Sequence, residues 1–368
     1  MKRESDVRLQ QIKESGKPIY SISRIDAINR CLYEAYLTYI LKEQGKDNIY
    51  SLLGGRMHDV LEGITTGKNI SADLLPAMQK TLEDVDILGL EFPKDRNGGD
   101  SIKQHWIQDM THFCKTYIPP QNKELTAEEL FIYETPAGNI LQGYIDLQCI
   151  RSNGSIDIYD YKTSSLYTGE AIKEHGRQLV VYALGKEQEG YKVNSASWIF
   201  LKYAEIQYKG KKTSRSKEES NISKICERYK IGTEMSNIVE SALEELEYGE
   251  VDIEMWMDRF KEEGNFDIFP QTIQKKFKLK PYVLKADISN SAKEECINYI
   301  DSTIAMWEKL GKSAKDYPPK QFFKTSKTGK KLTDTFFCTQ LCPHFKRCGY
   351  IRDFMDQMNK DLEEDDLF

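Results

Sequence analysis

Two short alternating runs, residues 143–149 and 156–162, constrain this chain more than any other stretch. In the first, Tyr144, Asp146 and Gln148 alternate with Gly143, Ile145, Leu147 and Cys149, and a period of two predicts a strand with the two sets on opposite faces. In the second, Ile156, Ile158, Asp160 and Lys162 share a face, so an acid and an amine stand side by side. Between the runs, Ser152-Asn153-Gly154 carries the Asn-Gly pair that marks a hairpin turn. Loop length then decides the chemistry. A two-residue turn sets Asp146 opposite Tyr161, on the wrong side of the sheet from Asp160. A three-residue loop with Gly154 in the left-handed bulge position sets Asp146 opposite Asp160, and this register is the one expected.

Two adjacent carboxylates repel, and a cation or a shared proton relieves them. A hard divalent ion, Mg²⁺ or Mn²⁺, meets that need through one or two carboxylates together with substrate phosphate. A lysine beside such an ion can orient or activate a water and offset charge on a phosphate in transfer. An isolated Asp-x-Lys would ordinarily be a solvated ion pair. Two further stretches argue against that reading here: Gly54-Gly55-Arg56-Met57-His58 before the hairpin and Gln178-Leu179-Val180-Val181-Tyr182 after it.

In that order, with Asp146, thirteen intervening residues and Asp160-Tyr161-Lys162, these stretches resemble the PD-(D/E)XK nuclease core in its RecB-type exonuclease branch. The resemblance implies an α/β fold of the restriction-endonuclease kind, a mixed central sheet flanked by helices. It implies that His58, Asp146, Asp160 and the Tyr161 carbonyl hold the metal and that Lys162 orients or deprotonates the attacking water. Gln178 and Tyr182 would position the scissile strand. Glu129 resembles a glutamate that the family often places on the preceding strand, although Glu134 is also available there.

The net charge of −6 offers no global attraction for nucleic acid, so any DNA path must use local basic patches. No apolar run approaches membrane-spanning length, and Met1-Lys2-Arg3-Glu4 leads into a polar segment without a signal-peptide core, so a cytoplasmic protein is expected. No Gly-x-x-x-x-Gly-Lys-Ser/Thr stretch is present, which leaves no visible ATP motor. At 368 residues there is ample chain for a core.

In chain order, residues 1–18 read as a charged arm or short helix and 19–205 as the nuclease core. Ser21 or Ser23 caps a first helix along which Ile25, Ile28, Leu32, Ala35, Tyr36, Tyr39 and Ile40 recur, with Cys31 inside it. Helices are expected over 54–64, 101–117 and 168–187, and strands over 129–134 and 195–203. Residues 206–318 read as a helical and basic insertion: a basic loop at 209–217, helices over 222–248, 251–262 and 292–310, and an irregular 266–284 carrying Lys275, Lys276, Lys278 and Lys280. A third basic stretch interleaves Lys320, Lys324, Lys327, Lys330 and Lys331 with Phe322 and Phe323. That pattern suits a single-stranded DNA groove, where phosphates are neutralised and bases stack. A solvated charged face is the plainer alternative.

Residues 319–350 hold the second dense signal, Cys338, Cys342-Pro343 and Cys348. Closely spaced thiolates repel or oxidise unless a metal holds them. With Cys31 as fourth ligand, the set resembles the iron–sulfur clasp of RecB-type nucleases such as AddB and the CRISPR adaptation nucleases, which implies a [4Fe–4S] cluster packed on the first helix. The first spacing is Cys-x-x-x-Cys where that branch has Cys-x-x-Cys, and four-thiolate Zn²⁺ is the alternative. Either metal would close a loop spanning most of the chain. Residues 351–368 read as an acidic tail, and its Leu367-Phe368 end suits docking to a helicase, a single-strand-binding protein or a sliding clamp. The expected function is a metal-dependent DNA exonuclease or end-processing nuclease in recombination, repair or replication. A catalytically silent DNA-end-binding factor and a zinc-stapled interaction protein are the alternatives.

Overall fold

A computed structural model of the chain describes residues 6–120, 124–209, 221–326 and 328–365. After α1 (Val7–Glu14) and the two-residue β1 (Ile19–Tyr20), α2 (Ile22–Arg30) begins where the Ser21 hydroxyl accepts the Arg24 N–H at 3.2 Å. The single helix expected here is broken. Cys31 adopts an extended backbone (φ −160°, ψ 106°) that ends α2 and precedes the short α3 (Leu32–Ala35). α4 (Ile49–Thr65) starts earlier than 54 because Asn48 caps it, accepting the Tyr50 and Ser51 N–H groups at 3.0 Å while Ser51 returns a bond to the Asn48 N–H. α5 (Leu74–Ile87) and α6 (Ser101–Thr116) complete the helices before the sheet.

The strands follow as β2 (Glu124–Thr126), β3 (Glu129–Glu134), β4 (Ile140–Ile145), β5 (Leu147–Ile150) and β6 (Ile156–Lys162). α7 (Glu170–Gln188) then carries the chain to β7 (Val193–Lys209), which runs parallel to β6. The main sheet has the order β2-β5-β6-β7-β8, where β8 (Asn221–Glu227) is antiparallel to β7. On one face, Ile156, Ile158, Trp198 and Phe200 pack against α2 and α7. On the other, Leu147, Tyr161, Ile199 and Leu201 pack against α4, α5 and α6. The fold is therefore the mixed α/β sandwich expected, with a helical layer on each side of a mixed sheet.

One strand departs from its pattern at the most informative place. The run expected as a single strand over 143–149 bends at Asp146: β4 belongs to a three-stranded sheet, β1-β4-β3, and β5 to the main sheet. The Asp146 carboxylate then accepts the Tyr161 N–H at 2.9 Å, a donor left on β6 where its neighbouring strand turns away.

The chain beyond β8 runs through α8 (Ile231–Glu244), α9 (Glu250–Glu263), α10 (Gln271–Gln274), β9 (Phe277–Lys285), α11 (Asn290–Glu308), the hairpin β10 (Phe323–Thr325) and β11 (Lys331–Thr333), and α12 (Gly349–Asp365). Three expectations are corrected here. Residues 222–227 are strand rather than helix: Ile222 and Ile225 have helical spacing, but the β7 ladder buries Cys226 and leaves both isoleucines exposed. Residues 277–285 are strand rather than irregular, paired along β7. The expected acidic tail is helical through Asp365, anchored by fully buried Ile351, while 366–368, including Leu367 and Phe368, lie outside the described residues. The boundary expected at 205/206 falls inside the seventeen-residue β7, whose second half shares a separate core with α8, α9 and α10. α11 instead packs back on α7 and α2 through Cys296, Ile300 and Ile304. Among the described residues no helix is long and apolar enough to cross a membrane.

Candidate active site

The site is set by register. β5 and β6 pair as Leu147↔Tyr159, Gln148↔Ile158 and Ile150↔Ile156, and one step further sets Asp146 opposite Asp160. The Arg151 N–H bonds the Ser155 carbonyl at 2.8 Å and closes a loop of Ser152, Asn153 and Gly154. Gly154 has φ +78°, a conformation that disfavours any residue with a Cβ. The odd-length loop is thus what aligns the two acids.

α4 supplies the next group. A Cβ on Gly54 would stand 3.3 Å from Thr163 Oγ1, so glycine lets the helix close on the end of β6. One turn on, His58 Nδ1 lies 3.2 Å from Asp146 Oδ2. Lys162 Nζ is 2.6 Å from Asp160 Oδ2 and donates to Gln178 Oε1 at 3.0 Å. Gln178 Nε2 donates in turn to the Tyr182 hydroxyl at 2.8 Å. The structure therefore brings together two contact groups, His58 with Asp146 and Asp160 with Lys162, Gln178 and Tyr182, and the Asp146 charge is felt at Asp160. Tyr182 is only 5% exposed, packed against Phe131, so it stands behind Gln178 and away from any surface that DNA can touch.

Burial dominates the electrostatics. It pushes the Asp160 carboxyl above its ordinary range, as does the Asp146 charge, against the pull of Lys162. Burial acts on Asp146 too, but the His58 hydrogen bond, the Tyr161 N–H and the Lys162 charge outweigh it and hold that carboxyl low. For His58 and Lys162, burial favours the neutral form, and their aspartate partners reverse it and raise both. Asp160 Oδ2 is buried without a well-aligned hydrogen bond even though the Lys162 ammonium is 2.6 Å away. Two carboxylates and an imidazole make an oxygen-rich donor set that fits Mn²⁺ or Mg²⁺, with Asp160 Oδ2 held among the described residues only by Lys162. Among the described residues no three His, Cys, Asp or Glu side chains converge on one point. A bound ion would take the place of the His58–Asp146 hydrogen bond.

Glu128 is the residue that the motifs missed. Glu128 lies one residue before β3, where the β3–β4 ladder ends at Glu129↔Ile145, and its charge is felt at the Tyr182 hydroxyl. Its φ of +53° is uncommon for a side chain with a Cβ and often marks a functional position. Glu134 sits at the far end of β3, 3.4 Å from Lys17. His175 also adjoins the site, stacked on Tyr167 at 4.1 Å and held low by burial and the Lys162 charge.

The four cysteines come together from distant segments. Cys31, Cys338, Cys342 and Cys348 line one pocket walled by Leu37, Phe322 and Phe337. The break between α2 and α3 exposes Cys31 Sγ to the Lys320 N–H, which donates to it at 3.4 Å. All four are free thiols, and burial pushes Cys338 up to about 11 and Cys342 up to about 12. His344 beside them is engaged by the Thr38 hydroxyl at 2.8 Å.

The third basic stretch is partly internal. Lys320 and Lys324 reach Asp334 at 3.0 and 3.4 Å, and Phe322 and Phe323 pack on Phe354 of α12. Lys331 Nζ lies 3.8 Å from the Phe323 ring centre. Lys330 is exposed between β10 and β11, and Lys327 lies outside the described residues. The interleaved aromatics thus turn toward α12 and the cysteine pocket, leaving few flat rings open for base stacking.

A family model, that of the PD-(D/E)XK nuclease superfamily, matches residues 19–282, a span that contains every element of the catalytic constellation. No curated protein matches the chain.

Proposed function

The chain belongs to the PD-(D/E)XK nuclease superfamily, and from that premise we propose that it is a Mg²⁺- or Mn²⁺-dependent deoxyribonuclease of the RecB type, acting on DNA ends or single strands. The observation that carries the reading is the pairing of His58 with Asp146 beside the contacts of Lys162 with Asp160 and Gln178, the charge of Asp146 being felt at Asp160. When bound, the divalent ion supplies Lewis-acid charge at the scissile phosphate and a more acidic water. His58, Asp146 and Asp160 would hold it. Lys162, gripped by Asp160 and Gln178, orients the attacking water and offsets charge on the phosphate oxygens. Gln178 fixes the Lys162 ammonium, and buried Tyr182 fixes Gln178.

Cys31, Cys338, Cys342 and Cys348 line one pocket, and the resemblance to the RecB-type clasp favours a [4Fe–4S] cluster held by these four thiolates, with four-thiolate Zn²⁺ as the alternative. The clasp would tie the α2–α3 break to the segment preceding α12, a structural role supporting recombination, repair or replication chemistry performed elsewhere in the fold.

The test is cleavage of end-labelled single- and double-stranded DNA by the purified chain, with and without Mn²⁺. D160N and K162A should each lose at least about 100-fold in rate while melting like the parent chain. Undiminished metal-dependent cleavage in both would refute the assignment. Tight end binding by the parent chain without any cleavage would instead identify a silent end-binding factor.

A further inference from the structure

The sheet that carries the active site does not stop there. Along one edge of β7, β6 is paired as far as Lys162↔Phe200, and β8 takes its place from Tyr203↔Glu227 onward. Along the other edge, β9 pairs with both halves of β7, spanning an irregularity between Phe200 and Ala204. β9 therefore relates the faces of the two halves. Tyr282 and Leu284 join the core on the face of Asp160 and Lys162, and alternation continues that face to Lys280 and Lys278. The opposite face, with Ala204, Ile206, Cys226 and Phe277, is covered by α8, α9 and α10.

Among the described residues no element packs on the face of Lys280 and Lys278, which by alternation continues the catalytic one. Across it run two ranks of paired residues, Ile225–Glu205–Lys280 and Ser223–Gln207–Lys278. Lys278 and Ser223 are exposed, and Ile225 is 47% exposed. The one acid among them is already engaged: Glu205 accepts from the Ser223 hydroxyl and, at 2.8 Å, from the Gln207 amide, and Lys280 also holds its carboxyl low. The face is polar, with two lysines repeating at about 6.7 Å, twice the strand rise, of which Lys280 lies beside Glu205, and an exposed isoleucine on β8. Its nearer rank lies no more than about 17 Å along β7 from the Lys162 level.

We propose that this outer face of the β7–β8–β9 ribbon is a track for a single strand of the DNA substrate, leading between the active site and the free length of the strand. The inference rests on the nuclease reading. Charge complementarity, hydrogen-bonding side chains and continuity with the catalytic face all select an extended polyanion as the occupant. A rigid ribbon, continuous in β7 and β9, holds the strand at a fixed angle to the scissile phosphate.

The test is equilibrium binding in EDTA, so that nothing is cut, of two single-stranded oligonucleotides, one filling only the cleavage site and one extending well past it. The K278E/K280E chain should lose at least about 10-fold in affinity for the long strand and little for the short one, and its log K against log[salt] slope should be shallower by about 1.4, two single-strand phosphate contacts. K285E, on the same strand but the opposite face, should leave both unchanged. An unaltered slope in K278E/K280E, or an equal loss in K285E, overturns the track. A parent chain that neither binds nor cuts DNA overturns the nuclease reading along with it, whereas a parent chain that cuts normally beside an unaltered K278E/K280E slope overturns the track alone.

Discussion

The Gln178 amide donates to the hydroxyl of buried Tyr182 at 2.8 Å, and this bond anchors the amide from behind. Lys162 can only donate, so it decides that Gln178 presents Oε1 to it, at 3.0 Å, and the NH₂ must find an acceptor behind. Y182F should keep the packing against Phe131 but leave that NH₂ without its acceptor and loosen the hold on Lys162, lowering cleavage roughly 10-fold, about the worth of one hydrogen bond to a charged network. Q178A should cost a similar factor. Because both act through Lys162, the double variant should lose no more than the worse single one. Rate losses that multiply would show that Tyr182 acts independently.

The amide relay was only half legible in the sequence. Spacing placed Gln178 and Tyr182 on one helical face, but nothing local shows that the β3–β4 hairpin, through Phe131, covers the tyrosine. The aligned acids were legible only with the three-residue loop, because Asn153-Gly154 and a strict period of two also allow the two-residue turn that misaligns them, and the Arg151–Ser155 bond decides between the two. The bend at Asp146 was not, since alternation continues unbroken through it and only the departure of β4 to another sheet reveals it. β8 and β9 escaped for a related reason. Their apolar residues face a small separate core on one side and water on the other, a weak pattern that resembles polar loop or helix until the long β7 partner is seen. The clustering of Cys31 with Cys338, Cys342 and Cys348 was legible only through the family resemblance, since residue type does not choose Cys31 from among eight cysteines, and the helix break that presents Cys31 was not legible at all.

Phe131 is clamped between two glycines. A Cβ on Gly143 of the paired strand would stand 2.6 Å from its ring, and one on Gly185 of α7 would stand 2.5 Å from it. G185A gains about 1 kcal/mol of helix propensity, yet overpacking of a fully buried ring typically costs about 1–3 kcal/mol. Net destabilisation is expected in urea unfolding, and shrinking the ring with F131L in the same chain should recover part of it. A G185A chain more stable than the parent would show that the clamp yields freely.

The junction between α6 and the added ribbon should have a hidden pH dependence. Arg228 donates to His112 Nδ1 at 3.0 Å, so Nε2 carries the proton and meets the Gly264 carbonyl at 3.0 Å. Burial and the Arg228 charge pull His112 down to about 4, so the unfolded chain binds the extra proton between about pH 6.5 and 4 and stability falls on acidification. Asp109, fully buried nearby, is pushed up to about 7 by burial. Its folded form binds the proton between about pH 4 and 7, so its contribution has the opposite slope and the two nearly cancel. D109N keeps an acceptor for the Tyr229 N–H and removes one side of the balance. Between pH 6.5 and 5 it should lose roughly 2 kcal/mol more than the parent, read by urea unfolding at each pH. Parallel pH profiles for the two chains would mean that His112 does not titrate with folding.

The cysteine pocket makes a prediction that colour decides. Protein purified without air should be brown and contain iron and acid-labile sulfide in equal amounts, as a [4Fe–4S] cluster requires. C31S removes the thiol that receives the Lys320 N–H and is the ligand farthest in sequence from the others, so it should lose the iron and release the clasp between the α2–α3 break and α12. C114S, a change at a buried cysteine of α6 outside the pocket, should keep it. Unfolding of C31S should come at lower denaturant than in the parent, because a cross-link closing so long a loop restricts the unfolded chain most. The His58–Asp146–Asp160 group lies apart from this pocket, so Mn²⁺-dependent cleavage at a temperature where C31S stays folded should fall much less than its stability. A colourless chain with one tightly bound zinc would replace the cluster with a four-thiolate site, and a chain that binds neither metal, with C31S as stable as the parent, would remove the clasp altogether.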